Sequence, residues 1–253
     1  MLINLPSDLI IEIFSYNIKK NINIRLLNKL LYNDVSIEYC IYSLNVKKIL
    51  SDYRKIKEID FEILKNDFIK LYKLNKNKFI FCDTLNCSNC YKLIEINAQN
   101  LLYLYCSRCY SLNEINAPNI LILNCCYCPI LIEINLTNII KLYCFCCDSL
   151  IKINAPSILR LNCYWCEKLI EINTSNVIKL ICSRCYSLNE INLPNIIKLN
   201  CFCCNKLIKI ISPNIIYLDC SNCKNLIEIN APKAFELIYY NCPKLQKINS
   251  IQL

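Results

Sequence analysis

A repeat of fixed length constrains this chain more than any other feature of its sequence. Between residues 85 and 249 the pattern L-x-C-x-x-C-x-x-L-x-x-I-N-x-P-N-I-x-x recurs nine times with a period of nineteen residues. A short, constant period predicts a solenoid of stacked coils, because each coil can bury its apolar side chains only against its neighbours. The leucines that anchor the nine units are Leu85, Leu104, Leu123, Leu142, Leu161, Leu180, Leu199, Leu218 and Leu237.

The first half of each unit predicts a strand, and the second half predicts an extended return leg. The anchoring leucine and the first cysteine lie two residues apart, so both point inward from a short strand of a parallel sheet. Nineteen residues leave no room for a long helix, and asparagine, which tolerates left-handed backbone angles, is predicted to make the turn. Prolines are predicted to keep the return leg extended. The asparagines are Asn116, Asn135, Asn154, Asn173, Asn192 and Asn230, and the prolines are Pro118, Pro156, Pro194, Pro213 and Pro232.

The chain contains 22 cysteines, and their spacing alone would suggest zinc or redox chemistry. Seventeen of them, however, fall in the two inward columns of the repeat, where a buried free cysteine behaves as a small hydrophobe. We therefore predict that the cysteines form the core and that the protein holds no metal or other cofactor. Two alternatives stay open: four sulfurs from adjacent coils could bind zinc, and some cysteines could form disulfides.

The composition argues against an enzyme. Without histidine the chain cannot build the usual catalytic triads, a histidine general base or His-containing metal sites. Without glycine it has neither a P-loop nor a G-x-G-x-x-G loop. Glutamates recur at one position of the return leg and are interpreted as a solvated rim: Glu95, Glu114, Glu133, Glu171, Glu190 and Glu228.

The order I-x-x-L-x-C-x-x-C-x-x-L, as at residues 215–226, resembles the leucine-rich repeat in its variant with cysteine at the ladder position. The resemblance covers about two thirds of the chain. It implies a curved horseshoe whose sheet lies on the concave, partner-binding side. Because these units are shorter than most cysteine-containing repeats, we expect an extended rather than a helical convex side.

The first 45 residues predict a small helical domain. Pro6 stands near a helix start, and an apolar stripe runs from Leu9 to Phe14. The opening L-P-S-D-L-I-I-E-I-F-S-Y and the later R-L-L-N-K are similar to the F-box, a family that docks on the Skp adaptor of a ubiquitin ligase. A helical cap for the solenoid is the alternative interpretation. The resemblance implies that the adaptor-binding residues are Leu5, Pro6, Ile10, Ile13 and Phe14.

The secondary structure of residues 46–84 is the hardest to predict from the sequence pattern. Their apolar residues fit helical spacing, yet Phe68, Leu71 and Leu74 also fall one period before the corresponding residues of the first unit. We predict a helical linker that ends in a degenerate capping coil. The sequence thus predicts an α+β protein, with an F-box-like helical domain at 1–45, the linker at 46–84 and a leucine-rich-repeat solenoid at 85–253.

The outward positions of the predicted strands suggest a binding surface. Basic residues precede the anchoring leucine in four successive coils, flanked by Tyr103 and Tyr217. Aromatic residues lie beside them, and basic and aromatic side chains together are typical of an interface. We predict that a partner binds this concave face through Lys141, Arg160, Lys179, Lys198, Tyr143, Phe145, Tyr164, Trp165 and Phe202.

These patterns favour a non-catalytic adaptor of an SCF-type ubiquitin ligase that docks on a Skp adaptor and recruits an unidentified protein substrate. Two alternatives stay open: an interaction solenoid without ligase partners, and a nucleic-acid-binding protein, suggested by the net charge of +9. Asp8 and Glu12 interrupt the first apolar run, so we expect no signal peptide and a cytoplasmic or nuclear location. The charge-free stretch 115–132 follows the repeat register, so we expect no membrane partner.

Overall fold

The computed structural model describes residues 39–41, 44–45, 56–64, 66, 79–81 and 84–251, and it confirms the stacked-coil architecture. One face is a ten-stranded parallel sheet in which each anchoring leucine pairs with the leucine of the next coil. We call this sheet the Leu ladder. Its strands are β2 (Leu44–Asn45), β5 (Thr84–Asn86), β7 (Tyr103–Tyr105), β9 (Ile122–Asn124), β11 (Lys141–Tyr143), β13 (Arg160–Asn162), β15 (Lys179–Ile181), β17 (Lys198–Asn200), β19 (Tyr217–Asp219) and β21 (Glu236–Ile238).

The return leg of each coil carries a second strand, centred on isoleucine, as the expectation of an extended return leg requires. These strands form the Ile ladder, which is divided into three groups of three, three and four strands. The first group is β3 (Glu58–Asp60), β6 (Glu95–Asn97) and β8 (Glu114–Asn116). The second is β10 (Glu133–Asn135), β12 (Lys152–Asn154) and β14 (Glu171–Asn173). The third is β16 (Glu190–Asn192), β18 (Lys209–Ile211), β20 (Glu228–Asn230) and β22 (Lys247–Asn249).

The core lies between the two ladders and repeats in every coil. In the fourth coil Leu142, Cys144 and Cys147 are fully buried, and so are Leu150 and Ile153 of the return leg. Equivalent residues stack directly above and below, so the interior is a set of continuous apolar columns, which is how a solenoid of short coils gains enough burial to fold. Both inward cysteine columns therefore belong to the core, as predicted.

A tight turn joins the Leu strand to the return leg, and it corrects one prediction. The amide of Cys90 donates to the carbonyl of Cys87 at 3.3 Å, and the residue before the second cysteine has a positive φ in every coil. We call this residue the corner position. It is held by Asn89, Arg108, Tyr127, Cys146, Trp165, Arg184, Cys203, Asn222 and Asn241, with φ between 56° and 66°.

The asparagines predicted to take left-handed angles instead end the Ile strands. Their side chains bond from coil to coil: Asn116 donates to Asn97 at 2.8 Å, and Asn154 donates to Asn135 at 2.9 Å. The prolines lie in the following turn, where the amide of Ile120 donates to the carbonyl of Ala117 across Pro118 at 3.2 Å. Proline suits the second position of such a turn because its φ is already fixed there. The prolines therefore take part in the turn after the Ile strand rather than extending the return leg, and the return-leg asparagines do not take the left-handed angles predicted for them.

The amino-terminal end of the stack differs from the predicted helical domain and linker. Leu44 pairs with Leu85, and Ile59 pairs with Ile96, so β2 and β3 provide the coil before the first repeat. A helical turn at 61–64 follows, and the side chain of Asp60 accepts a hydrogen bond from the amide of Ile63 at 2.9 Å, as a helix N-cap does.

The described part of residues 1–45 is extended rather than helical. It consists of β2 and of β1 (Tyr39–Ile41), which pairs with β4 (Phe79–Phe81). The helical domain predicted at 1–45, and with it the α+β class, therefore finds no support in the residues that the structure describes. The remainder of the predicted F-box, including all five adaptor-binding residues, lies outside those residues, and so does the proposed capping register at Phe68, Leu71 and Leu74.

Candidate interaction face

The four predicted basic residues form one straight column on the Leu ladder. Lys141 pairs with Arg160, Arg160 with Lys179, and Lys179 with Lys198 in consecutive strands. We call these four residues the basic column. Neighbouring strands of a sheet lie roughly 4.8 Å apart, so each cation has another cation beside it. The leucine that follows each cation in the chain fixes this spacing, because its side chain is buried in the core. These leucines are Leu142, Leu161, Leu180 and Leu199.

The flanks of the basic column differ at its two ends. Tyr217 follows Lys198 directly, and the lysine ammonium lies 4.2 Å from the centre of the tyrosine ring. At the other end Ile122 separates Tyr103 from Lys141, so the predicted tyrosine flank is present at one end only. Within the described ranges no carboxylate forms an ion pair with the basic column, although ion pairs do form on the other face.

The second outward column of the Leu ladder, one residue after each leucine, is mainly polar. Tyr143 lies there between Asn124 and Asn162. The side chains of these asparagines accept hydrogen bonds from the backbone amide two residues later. The amide of Tyr164 donates to Asn162 at 3.2 Å, and the amide of Phe202 donates to Asn200 at 3.3 Å. These side chains hold the start of the C-x-x-C turn, as Asn does in an Asx-turn. Tyr143 is therefore the predicted binding residue that this column offers to a partner.

An aromatic cleft of about 820 Å³ lies next to Asn162 and Ile181 of the second outward column, where the Leu strands turn into the C-x-x-C corners. It contains three of the predicted residues, Phe145, Tyr164 and Trp165, together with Tyr127 and Tyr110, which the sequence did not single out. Tyr127 meets Phe145 edge to face with ring centres 5.3 Å apart, and Tyr164 meets Trp165 in the same way at 5.8 Å. Edge-to-face pairs of this kind fix ring orientation. The cleft is thus an ordered aromatic surface.

Charged groups surround the cleft. The guanidinium of Arg184 lies 4.6 Å from the ring centre of Trp165, and that of Arg108 lies 5.6 Å from that of Tyr127. Cation–π contacts of this type hold the rings from the outside. The indole nitrogen of Trp165 donates to Glu167 at 2.8 Å, so this nitrogen already has an acceptor within the chain. The rings are therefore fixed by their own neighbours before any partner arrives.

Phe202 does not belong to this cleft. Phe202 and Tyr164 occupy the same position of the repeat but lie two coils apart. In the coil between them this position is held by Ser183, which does not line the cleft. Three of the residues that the sequence reasoning missed, Arg108, Tyr127 and Arg184, share the corner position with Trp165, whereas Tyr110 lies two residues after Arg108. Reading that one column along the repeat would have found them.

The cysteine columns were the other candidate for chemistry. The 20 cysteines whose side chains the structure describes are all free thiols. Burial raises the pKa of inward thiols such as Cys87 and Cys201 well above the usual value, which opposes the thiolate form that metals and electrophiles need. Across the described ranges no three potential metal ligands converge. The geometry is that of a core.

Comparison with protein-family models and with curated proteins finds no match to this chain. Among the described residues no helix reaches the length and apolarity needed to cross a membrane.

Proposed function

We propose that the protein is a non-catalytic interaction module that binds an acidic segment of a partner protein through the basic column and the aromatic cleft. The observation that carries this proposal is the register of four cations on adjacent strands of one sheet, none of which forms an ion pair with a carboxylate in the described part of the chain. The resemblance to the leucine-rich repeat, a family that binds proteins on its sheet face, supports the same conclusion.

Electrostatics favours an acidic partner. Two unit charges roughly 4.8 Å apart repel by about 0.9 kcal/mol even at the dielectric constant of water. Arg160 has two such neighbours, Lys141 and Lys179. Carboxylates laid along the basic column would remove this repulsion and would add attraction, and complementary charge of this kind speeds association and selects the partner.

The aromatic cleft would supply the anchor. Trp165 and Tyr127 are 36% and 41% exposed, respectively, which leaves ring surface to be covered. Buried aromatic and apolar contacts dominate the energy of most interfaces, whereas exposed charges contribute little each. The partner segment is therefore expected to carry a bulky apolar or aromatic residue beside its acidic residues, so that the anchor enters the cleft while the acids line the basic column.

We further propose, as the more specific form of this function, that the protein recruits its partner to an SCF-type ubiquitin ligase. The support is the F-box-like sequence of the opening segment, with Leu5, Pro6, Ile10, Ile13 and Phe14 at the positions that contact the Skp adaptor in that family. The two functions are separable, since adaptor and partner would occupy different parts of the chain. The location that this role requires is the cytoplasm or the nucleus.

A binding assay with paired variants tests the interaction proposal. Arg160→Glu combined with Lys179→Glu reverses two charges of the basic column, and Glu171→Lys combined with Glu190→Lys reverses two charges of the same coils on the Ile ladder as a control. A fluorescent polyglutamate peptide ending in tryptophan should bind the wild type and the control but not the first variant. The affinity should fall as salt rises, because screening shortens the reach of these charges.

The same assay separates the alternatives. A single-stranded oligonucleotide of equal charge that binds much more tightly than the peptide would replace the protein partner with nucleic acid, the second alternative. Equal binding of the peptide by all three proteins would remove the basic column from the proposal.

The ligase role is tested separately by mixing the full chain with a purified Skp adaptor. Phe14→Asp and Ile10→Asp should each abolish co-purification, while peptide binding by the solenoid stays intact. Failure of the wild type to bind any Skp adaptor would leave the interaction module standing and would remove the ligase role.

A further inference from the structure

A column of exposed aliphatic residues lies directly beside the basic column. The residue before each of the four cations is isoleucine or leucine, and its side chain is between 36% and 42% exposed. We call these four residues the aliphatic column: Ile140, Leu159, Ile178 and Ile197. The residue before each of them is fully buried, as Ile158 is before Leu159. The chain therefore places one aliphatic side chain in the core and exposes the next to solvent.

Backbone hydrogen bonds fix the register of the aliphatic column. The amide of Leu159 donates to the carbonyl of Ile140 at 2.9 Å, and the amide of Ile178 donates to the carbonyl of Leu159 at 2.9 Å. The next amide along the chain, that of Arg160, donates to the same carbonyl of Ile140 at 3.2 Å. The aliphatic and basic columns therefore advance together, by roughly 4.8 Å from one coil to the next.

The Ile ladder carries exposed aliphatic residues in the same coils, but the charges beside them are of opposite sign. Ile151 and Ile170 are 41% and 54% exposed. The residues that follow them, Lys152 and Glu171, form an ion pair at 3.3 Å. In these coils the Leu ladder is therefore distinguished by the row of like charges next to its aliphatic side chains.

We propose that the partner segment is an amphipathic α-helix that lies along the basic column. A stripe of acidic residues on the helix contacts the four cations, and a neighbouring stripe of apolar residues covers the aliphatic column. This inference rests on the proposed function, which supplies an acidic partner segment. It adds the conformation of that segment and a second surface that it contacts.

The spacing of the two columns fits a helix. The four cations span three strand spacings, or roughly 14 Å. Acidic residues at positions i, i+4, i+7 and i+11 of a helix span about 16 Å, and the flexible stems of lysine and arginine can accommodate the difference. The residues one position later form a stripe that lies about 100° around the helix. An apolar stripe at these positions would therefore meet the aliphatic column while the acidic stripe meets the cations.

An extended segment fits the two columns less well. Its side chains alternate between opposite faces, and those on one face recur about every 6.7 Å. If acidic and apolar residues alternated along such a segment, only one of the two sets would face the solenoid. A helix places both sets on neighbouring parts of one face, as the side-by-side columns require.

A membrane of anionic lipids would also combine negative charge with apolar contact. Its apolar groups lie below the headgroups, and an apolar protein surface reaches them by burying itself about 5–10 Å into that boundary. The side chains of the aliphatic column are less than half exposed, which leaves little of them to insert. The observations therefore favour the helix, and binding to vesicles is one outcome of the test.

The test compares three peptides with the same acidic stripe and the same terminal tryptophan. Each has about 18 residues, or roughly 27 Å as a helix, which exceeds the length of the basic column by about a turn at each end. The first peptide carries leucines on the stripe beside the glutamates, and the second carries the same leucines on the opposite face. The third is the first peptide with one central outward-facing residue replaced by proline, which breaks a helix.

We expect the wild type to bind the first peptide about tenfold more tightly than the second, because its leucines are buried on the aliphatic column. The third peptide should bind at least tenfold more weakly than the first, because proline disrupts the helix that aligns the two stripes. Circular dichroism should show a gain of helix when the first peptide is mixed with the protein. Fluorescence anisotropy of labelled peptides measures the three affinities.

A pair of variants identifies the aliphatic column as the contact. Leu159→Ser combined with Ile178→Ser should weaken binding of the first peptide about tenfold and leave binding of the second peptide unchanged. The second peptide thus also reports whether the variant is folded. Ile151→Ser combined with Ile170→Ser, on the Ile ladder, is the matched control and should bind all three peptides as the wild type does.

The outcomes separate this inference from the proposed function. Equal binding of all three peptides by the wild type, lost when Arg160 and Lys179 are changed to glutamate, would overturn the helical partner and leave the proposed function standing. Failure of the wild type to bind any of the peptides would overturn both. Vesicles of phosphatidylserine and phosphatidylcholine that bind more tightly than the first peptide, through Leu159 and Ile178, would replace the helix with a membrane.

Discussion

The two ladders of the solenoid share one core but arrange their surface charges in opposite ways. On the Leu ladder four cations stand side by side, and the sheet nevertheless runs unbroken through ten strands. On the Ile ladder lysine and glutamate alternate in several coils and form ion pairs, such as Lys152–Glu171 at 3.3 Å and Lys209–Glu228 at 3.1 Å. The Ile ladder is nevertheless the one that is interrupted.

The interruptions coincide with looser packing rather than with charge alone. The strands that precede the two breaks, β8 and β14, carry Ile115 and Ile172, which are only partly buried, whereas Ile153 in the middle of its group is fully buried. Glutamates would be neighbours across both breaks, yet Glu95 and Glu114 are paired neighbours in an intact group. A half-buried central isoleucine therefore marks the strand before each break.

The largest loss of folding stability is expected when core side chains of the fifth coil are truncated. Leu161→Ala should lower the free energy of unfolding by about 2 to 5 kcal/mol, because a buried leucine leaves a cavity. Ile172→Ala in the same coil should cost clearly less, since that side chain is already partly exposed. Urea unfolding followed by circular dichroism measures both. Equal losses would show that the break in the Ile ladder does not reflect weaker packing.

A smaller loss of folding stability is expected when a cysteine is replaced in the turn that joins the two ladders. Cys163→Ser should destabilise by about 1 to 3 kcal/mol, because it places a hydroxyl in an apolar column without a full set of partners. Cys203→Ser, at the half-buried corner position, is the matched control and should change stability little. The same unfolding assay, run with a reductant and a chelator, applies. Unfolding of the wild type by the chelator alone would contradict the assignment of the cysteines to the core.

The break after β14 offers a chance to strengthen the weaker ladder. The hydroxyl of Thr174 is buried there without a hydrogen-bond partner, at a position where Ala155 and Ala231 stand in other coils. Thr174→Ala should therefore raise the free energy of unfolding by about 1 kcal/mol. Thr137→Ala, an exposed threonine of the third coil, is the control and should have almost no effect. A loss of stability in Thr174→Ala would mean that the hydroxyl supports the turn.

Much of this architecture was predictable because it repeats. The period of the leucines gave the register of the Leu ladder, and the inward cysteines followed from their two-residue spacing. The corner position was misassigned because the preference of asparagine for left-handed angles was applied to the asparagines of the return leg. The structure imposes the positive φ on whichever residue precedes the second cysteine, and Trp165 and Arg184 accept it there.

The amino-terminal coil and the aromatic cleft could not be predicted from the repeat pattern. The amino-terminal coil uses Leu44 and Ile59, which are separated from their partners Leu85 and Ile96 by intervals that do not match the period. The repeat pattern therefore does not predict these strand pairs. Likewise, the aromatic cleft arises because residues at different repeat positions, such as Phe145 and Trp165, meet at one corner of the stack. The basic column, by contrast, was predictable because its four members share a single repeat position.

We propose that the basic column serves binding at a small cost in folding stability, and neutralising one charge on each ladder tests this most directly. Arg160→Gln and Glu171→Gln change the same coil on opposite faces. At low salt Arg160→Gln should raise the free energy of unfolding by about 0.5 kcal/mol, less than the full repulsion from its two cationic neighbours, because long exposed side chains can swing their charges apart. Glu171→Gln should lower it by a similar amount, since it removes the ion pair with Lys152. Both differences should shrink as salt rises to 1 M. A loss of stability in Arg160→Gln at low salt would contradict the claim, because it would show that the fold depends on the charges here assigned to binding.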